Sequence, residues 1–151
     1  MITDAAQRII RDFPLGIVAT VTPEGRPAAS PKGTFLVLDA RTLGYGDIRS
    51  PGTRANLGHL PEAEVVFVDP FLRKGARIRG RASVAPRGEP RFDALFPRWQ
   101  AVWGALAERI GALVIFDVTA CKPLATPPYD DGATEEEMIA LYKGKYAEIY
   151  P

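Results

Sequence analysis

What most constrains this chain is how little helix separates its early strand-like runs. "LGIVATV" is apolar on both faces and rich in β-branched residues, as a buried strand requires. "TPEGRP" then carries a hairpin turn signal, with Gly25 available for a positive φ. "AASPKGTFLVLD" reads as one second strand, interrupted near Pro31 and Gly33, and "TLGYGD" as a third after a turn at "DARTL". A proline inside a strand removes a ladder donor, so the interruption should mark an edge, a bulge or a ligand site. "ANLGHLP" has room for a short helix at most, and "EAEVVFVD" follows as a fourth strand. "ARIRGRASVAP" and "ALVIFDVTA" complete a set of six. Parallel strands need a helical crossover between neighbours, and the first four runs have almost none. The expected fold is therefore mainly β: one six-stranded antiparallel barrel with peripheral helices.

Helices are expected around that barrel. "TDAAQRIIRDFP" has a cap at Thr3 or Asp4 and a stop at Pro14. "FPRWQAVWGALAERIG" places Trp99, Val102, Trp103, Leu106 and Ile110 at the spacing of one apolar stripe. "CKPLATPPYDDG" reads as an extended proline-rich segment. In "TEEEMIALYKGKYAEIY", Thr134 and Glu137 form a capping box, and Met138, Leu141, Tyr142 and Ile149 line an apolar side. At 151 residues, without repeats or an obvious linker, residues 1–151 are read as a single domain with helices at both ends.

Composition excludes several classes. Charged residues are 25% and hydrophobic residues 46%, so the chain can bury a core. A net charge of +1 argues against a dedicated nucleic-acid binder. One cysteine, Cys121, and one histidine, His59, cannot make a disulfide or a structural zinc site built from those residues. The first residues lack a long apolar core, and no apolar run approaches the roughly 20 residues that span a bilayer. The expectation is a soluble cytoplasmic protein that needs no metal.

The stretch "LGYGDIRSPGTRANL" holds the candidate chemistry. Ser50 can cap a helix whose first residue is Pro51, leaving the N–H groups of Gly52, Thr53 and Arg54 pointing out of the helix start. Such a start attracts phosphate through its dipole and its free donors. The Thr53 hydroxyl and the Arg49 or Arg54 guanidinium could add charge-assisted bonds. An ordinary solvated, capped turn is the alternative. If the second and third strands pair near Ala40, Lys32 of "SPKG" lies at the same end of the sheet as Asp47 and Arg49, as a point charge for the same anion.

"RKGARIRGRAS" puts Arg77, Arg79 and Arg81 on one strand face and Gly80 on the other. Acidic neighbours on the next strand would explain these arginines. An anion-facing or subunit-facing edge is the other reading, with Gly80 admitting a flat ring or another backbone. His59 has no nearby carboxylate or nucleophile and reads as structural or surface. No residue presents itself as a catalytic acid, base or nucleophile.

The ordered set "GRP", "SPKG", "D-x-R-S-P-x-T-x-x-NL", "VDP" and "R-I-R-G-R-A", from Leu15 to about Gly132, resembles the pyridoxamine 5'-phosphate oxidase-like family, the FMN-binding split barrels. The resemblance implies a homodimer with FMN in two clefts at the subunit interface. It implies that Lys32, Arg49, Ser50 and Thr53 take the phosphate, with Asp47, Arg54 and Asn56 close by. Ser30 and Pro31 would run beside the flavin ring, and Arg79 would approach it from the fifth strand. Members that oxidise pyridoxamine phosphate carry a further Arg- and His-bearing C-terminal motif, whereas this chain ends in "YKGKYAEIYP". Other relatives bind deazaflavin or haem. The implied function is an FMN-dependent oxidoreductase acting on a small molecule. A non-enzymatic flavin, deazaflavin or haem carrier is the alternative, as is a cofactor-free barrel that pairs with another protein.

Overall fold

The computed structural model describes all residues, Met1–Pro151. Its elements are α1 (Asp4–Asp12), β1 (Gly16–Val21), β2 (Pro27–Lys32), β3 (Phe35–Asp39), β4 (Thr42–Asp47), α2 (Pro51–His59), β5 (Glu62–Asp69), β6 (Lys74–Pro86), α3 (Pro90–Trp103), β7 (Ala112–Leu124) and α4 (Glu135–Ile149), with short 3-10 turns at Gly104–Arg109 and Pro127–Tyr129. The strands form one antiparallel sheet in the order β2-β1-β5-β6-β7-β4-β3. The expected mainly β, barrel-like fold with peripheral helices is present, but with seven strands instead of six.

The extra strand arises within "AASPKGTFLVLD". These residues do not make one interrupted strand. β2 pairs with β1 at one edge of the sheet, and β3 pairs with β4 at the other. The chain crosses between the edges at Gly33 and Thr34. Thr34 fixes that crossing: its buried hydroxyl accepts from Gly46 N–H and donates to Gly46 C=O, each at 2.9 Å. Trp99 Nε1 donates to the Thr34 carbonyl at 2.8 Å. Pro31 does not break β2. It lies within the edge strand opposite Ile17, a position where a missing N–H is tolerated. At the other edge, Arg98 of α3 donates to the Val37 and Leu38 carbonyls, both at 2.9 Å.

The split sheet curls so that β3 packs over β5. The Phe35 ring of β3 packs edge-on against Phe67 of β5, with centroids 4.9 Å apart. Together with Tyr45, Phe116, Val18, Val65 and the inner face of α1, they build the larger core cluster. Trp99, Phe92, Phe96 and Ile110 build a second cluster under α3. The expected stripe on that helix is only partly inside, because Val102 and Leu106 stay exposed. α1 is capped by Thr3 as expected, and the Thr134–Glu137 capping box starts α4. Only Met138 of α4 is buried, with Leu141 and Ile149 left outside. No helix is long and apolar enough to cross a membrane.

Gly80 faces its own chain. It sits at a register shift between β6 and β7, where a Cβ would come within 2.9 Å of the Asp117 carbonyl. The close approach read from this glycine is therefore made by the β7 backbone.

At Gly16 the curl leaves no room for a side chain. A Cβ there would lie 2.7 Å from ring carbons of Phe35 and Phe67 and 2.8 Å from Val65. We expect Gly16→Ala to cost about 1–3 kcal/mol, measured by chemical denaturation. Gly144→Ala, in the open middle of α4, should be neutral or stabilise by up to about 1 kcal/mol. Equal effects at the two positions would contradict this packing account.

Candidate functional site

The crossing at Gly33–Thr34 sets the end of β2 beside the end of β4. An open recess of about 300 Å³ lies there, lined by Ala28, Ser30, Lys32, Arg49, Ser50, Gly52, Thr53 and Asn56. A smaller adjoining one, about 180 Å³, includes Pro31, Lys32, Gly33, Asp47, Arg49 and Ser50. Nine of the ten candidate residues thus converge, with Arg54 joined through its ion pair to Asp47 at 3.7 Å. Arg79 stands apart. Its guanidinium is held by Glu64 across β5, while Arg81 pairs with Glu62 at 2.6 Å. The acidic-neighbour reading of this arginine face is the one the geometry shows.

α2 begins at the recess with Pro51 in its first turn. The Arg54 N–H bonds the Ser50 carbonyl at 3.1 Å, but the N–H groups of Gly52 and Thr53 have no partner within the chain. Ser50 does not cap the helix through its side chain, contrary to expectation. Its hydroxyl donates instead to Asp47, whose carboxylate is buried behind the recess. Asn56 donates to the Thr20 hydroxyl at 3.0 Å and ties α2 to β1. Asp47 and Asn56 thus line the recess with side chains already committed to neighbours, and support the groups that are free.

The cations are free to act. Arg49 is exposed and makes no ion pair or side-chain hydrogen bond in the chain. The Lys32 ammonium donates to the Ser30 hydroxyl at 2.8 Å and has no carboxylate within ion-pair distance. Partial burial holds the Lys32 ammonium below the usual lysine value of 10.5, with nearby Asp47 opposing. Two cations, the Thr53 hydroxyl and two unpartnered N–H groups at a helix start make a donor set suited to a phosphate dianion. No group of three or more His, Cys, Asp or Glu side chains could hold a metal. His59 is exposed in the last turn of α2.

Two buried residues behind this recess escape the sequence reading. Thr34 sets the crossing. Tyr45, two residues before Asp47 on the same strand face, is fully buried with its hydroxyl unbonded. Burial foremost, and then the Asp47 carboxylate, push the phenol far above its ordinary range, against the opposing influence of Ser50 and Arg54. The two-residue spacing from Asp47 was the available signal for Tyr45.

A family model described as Pyridoxamine 5'-phosphate oxidase matches residues 2–123, most of the chain. The chain belongs to this family. Among solved structures, HupZ of Group A Streptococcus is similar at 28% identity and a TM-score of 0.70, over 83% of this chain and 96% of that one. An FMN-binding protein from Syntrophomonas wolfei shares the fold at 15% identity and a TM-score of 0.66, covering 80% and 84% of the respective chains. An F420 reductase does so at 16% identity and a TM-score of 0.61, covering 80% and 98%. A search of curated proteins returned no match.

The lowered Lys32 pKa has a definite sign. The folded protein disfavours the charged lysine, and that cost is relieved as pH rises through the lowered pKa toward 10.5. Lys32→Met should therefore leave the ligand-free protein at least as stable at neutral pH, measured by thermal melting. A bound anion reverses the preference and favours the ammonium. Anion affinity, measured by titration at a series of pH values, should fall as pH rises through that alkaline window. An affinity flat with pH there would remove Lys32 from the site.

Proposed function

We propose that this protein binds FMN as a homodimer and acts as a flavin-dependent oxidoreductase on a small molecule. The single observation that carries the reading is the convergence, in a member of this family, of Lys32, Arg49, Thr53 and the unpartnered N–H groups of Gly52 and Thr53 in one open recess. That donor set fits a terminal phosphate. The solved FMN-binding relative of the same fold supports flavin as the group that carries it.

FMN supplies the hydride or electron transfer when bound, and the chain's own residues bind and orient it. Lys32 and Arg49 neutralise the phosphate, Thr53 and the α2 N–H groups fix its direction, and Arg54 and Asn56 hold the wall behind it. Ser30 and Pro31 of β2 line the recess and would run beside the flavin ring. Arg79 is proposed as a ring contact only, since Glu64 holds it outside the phosphate recess.

The recess is shallow and open, so one chain cannot enclose a flavin. Beside Gly33, Leu15 just before β1, Ile17 of β1 and Val68 of β5, each at least 40% exposed, surround a depression of about 410 Å³. An exposed apolar surface continuous with a half-built site supports completion by a second copy.

Each phosphate contact sets a measurable loss. A charge-assisted hydrogen bond is worth about 1.5–3 kcal/mol, so Lys32→Ala and Thr53→Ala should each weaken FMN roughly 10- to 150-fold by fluorescence titration. Riboflavin, which lacks the phosphate, should bind the native protein far more weakly and barely respond to Lys32→Ala. A Lys32→Ala protein that keeps its FMN affinity, or loses riboflavin equally, would sink the assignment. Mass measurement of the ligand released from native protein separates FMN from a deazaflavin. Sedimentation should show a dimer, and a stable monomer that still holds FMN would refute the interface. Turnover with a reduced nicotinamide separates an enzyme from a carrier.

A further inference from the structure

Tyr45 is fully buried, and its hydroxyl lies beside Ser50 without closing a hydrogen bond of good geometry to any group. Such groups are uncommon in folded proteins, because burial strips away water without replacing it. On β4 Tyr45 shares a face with Asp47, whose carboxylate the Ser50 hydroxyl bonds, and the field of that carboxylate reaches the phenol. The phenol does not line the recess, so it cannot itself touch an anion there. Ser50 does line the recess, but its one proton is committed to Asp47.

A phosphate in the recess can receive a bond from the Ser50 hydroxyl only if that proton leaves Asp47. The buried carboxylate would then stand beside a dianion, with Arg54 3.7 Å away and Lys32 engaged by the phosphate. Of the buried side-chain donors in this neighbourhood, the Tyr45 O–H is the one without a partner. We infer that Tyr45 is a positioning residue for anion binding: it takes over the Asp47 carboxylate when Ser50 turns to the phosphate. Every donor in this layer is then satisfied in the occupied state, and one is left over in the empty state. The inference rests on the phosphate reading of the recess and holds for any cofactor that brings a phosphate.

The test compares wild type, Tyr45→Phe, Ser50→Ala and the double variant in titrations with FMN, riboflavin and inorganic phosphate, each beside a ligand-free melt. Tyr45→Phe should weaken FMN roughly tenfold, one net hydrogen bond, with the loss confined to phosphate-bearing ligands. Its ligand-free melting temperature should be unchanged or higher, since the deleted hydroxyl had no partner there. In the Ser50→Ala background the same substitution should add nothing, because the exchange no longer takes place. Inorganic phosphate should also produce a near-ultraviolet tyrosine difference band in wild type that Tyr45→Phe lacks. Undiminished FMN affinity in Tyr45→Phe overturns the exchange while leaving the phosphate site standing. So does a full tenfold loss in the Ser50→Ala background, or a lower ligand-free melting temperature. A wild-type protein that binds neither FMN nor phosphate overturns the site and the exchange together.

Discussion

The hydroxyl of Thr34 holds the two ends of the sheet in register. One oxygen, buried between β4 and the crossing, takes both backbone groups of Gly46, while Trp99 secures the Thr34 carbonyl from α3. β2 and β3 are neighbours in sequence but lie six places apart in the sheet. Without a fixed crossing, the end of β2 would have no defined place relative to β4. Lys32 and Arg49 meet across the recess because this joint allows only one path. A threonine suits it, since a hydroxyl both donates and accepts and the branched Cβ keeps it in few rotamers.

Behind the recess lies a layer of buried polar groups: Asp47, Ser50, Thr53, Asn56 and Thr20. Layers of this kind are costly unless their members bond to one another. Here Asn56 is joined to Thr20, Ser50 to Asp47 and Asp47 to Arg54. Asp69 plays a comparable part at the other end of β5. Its carboxylate accepts from Phe71 and Leu72 N–H at 2.9 and 3.0 Å and meets Arg8 at 3.4 Å. The "VDP" segment is thus a turn device, whereas the "DIRS" segment prepares a surface.

Much of this was legible in the sequence because it rests on short-range rules. Alternation, turn residues and capping residues located each expected strand and the terminal helices. Pro51 and the ordered "SPKG" and "RSPGT" segments located the recess. What escaped depends on distant partners. "AASPKGTFLVLD" has no local signal that its halves belong to opposite edges, since both halves read as strand. Ser50 obeys the capping rule by type, yet Asp47 three residues earlier is the better acceptor for its proton. Gly80 carries the mark of a close approach, but only the β6–β7 register shows that the approaching group is the chain's own backbone. Leu106 fits a helical stripe, but the helix tightens to a 3-10 turn at Gly104 and the period is lost before it.

The open edges have one further consequence. A sheet that does not close presents unpaired backbone to any extended chain, and such edges nucleate aggregation. Here β2 interrupts its outer ladder with Pro27 and Pro31, while Arg98 occupies the Val37 and Leu38 carbonyls on β3. The proline that blunts β2 stands between Ser30 and Lys32, so the segment that keeps foreign strands away is the one that presents the lysine. Relaxing either proline to a residue with an N–H would make this margin a template for other chains. Solubility and ligand recognition therefore constrain the same six residues of β2.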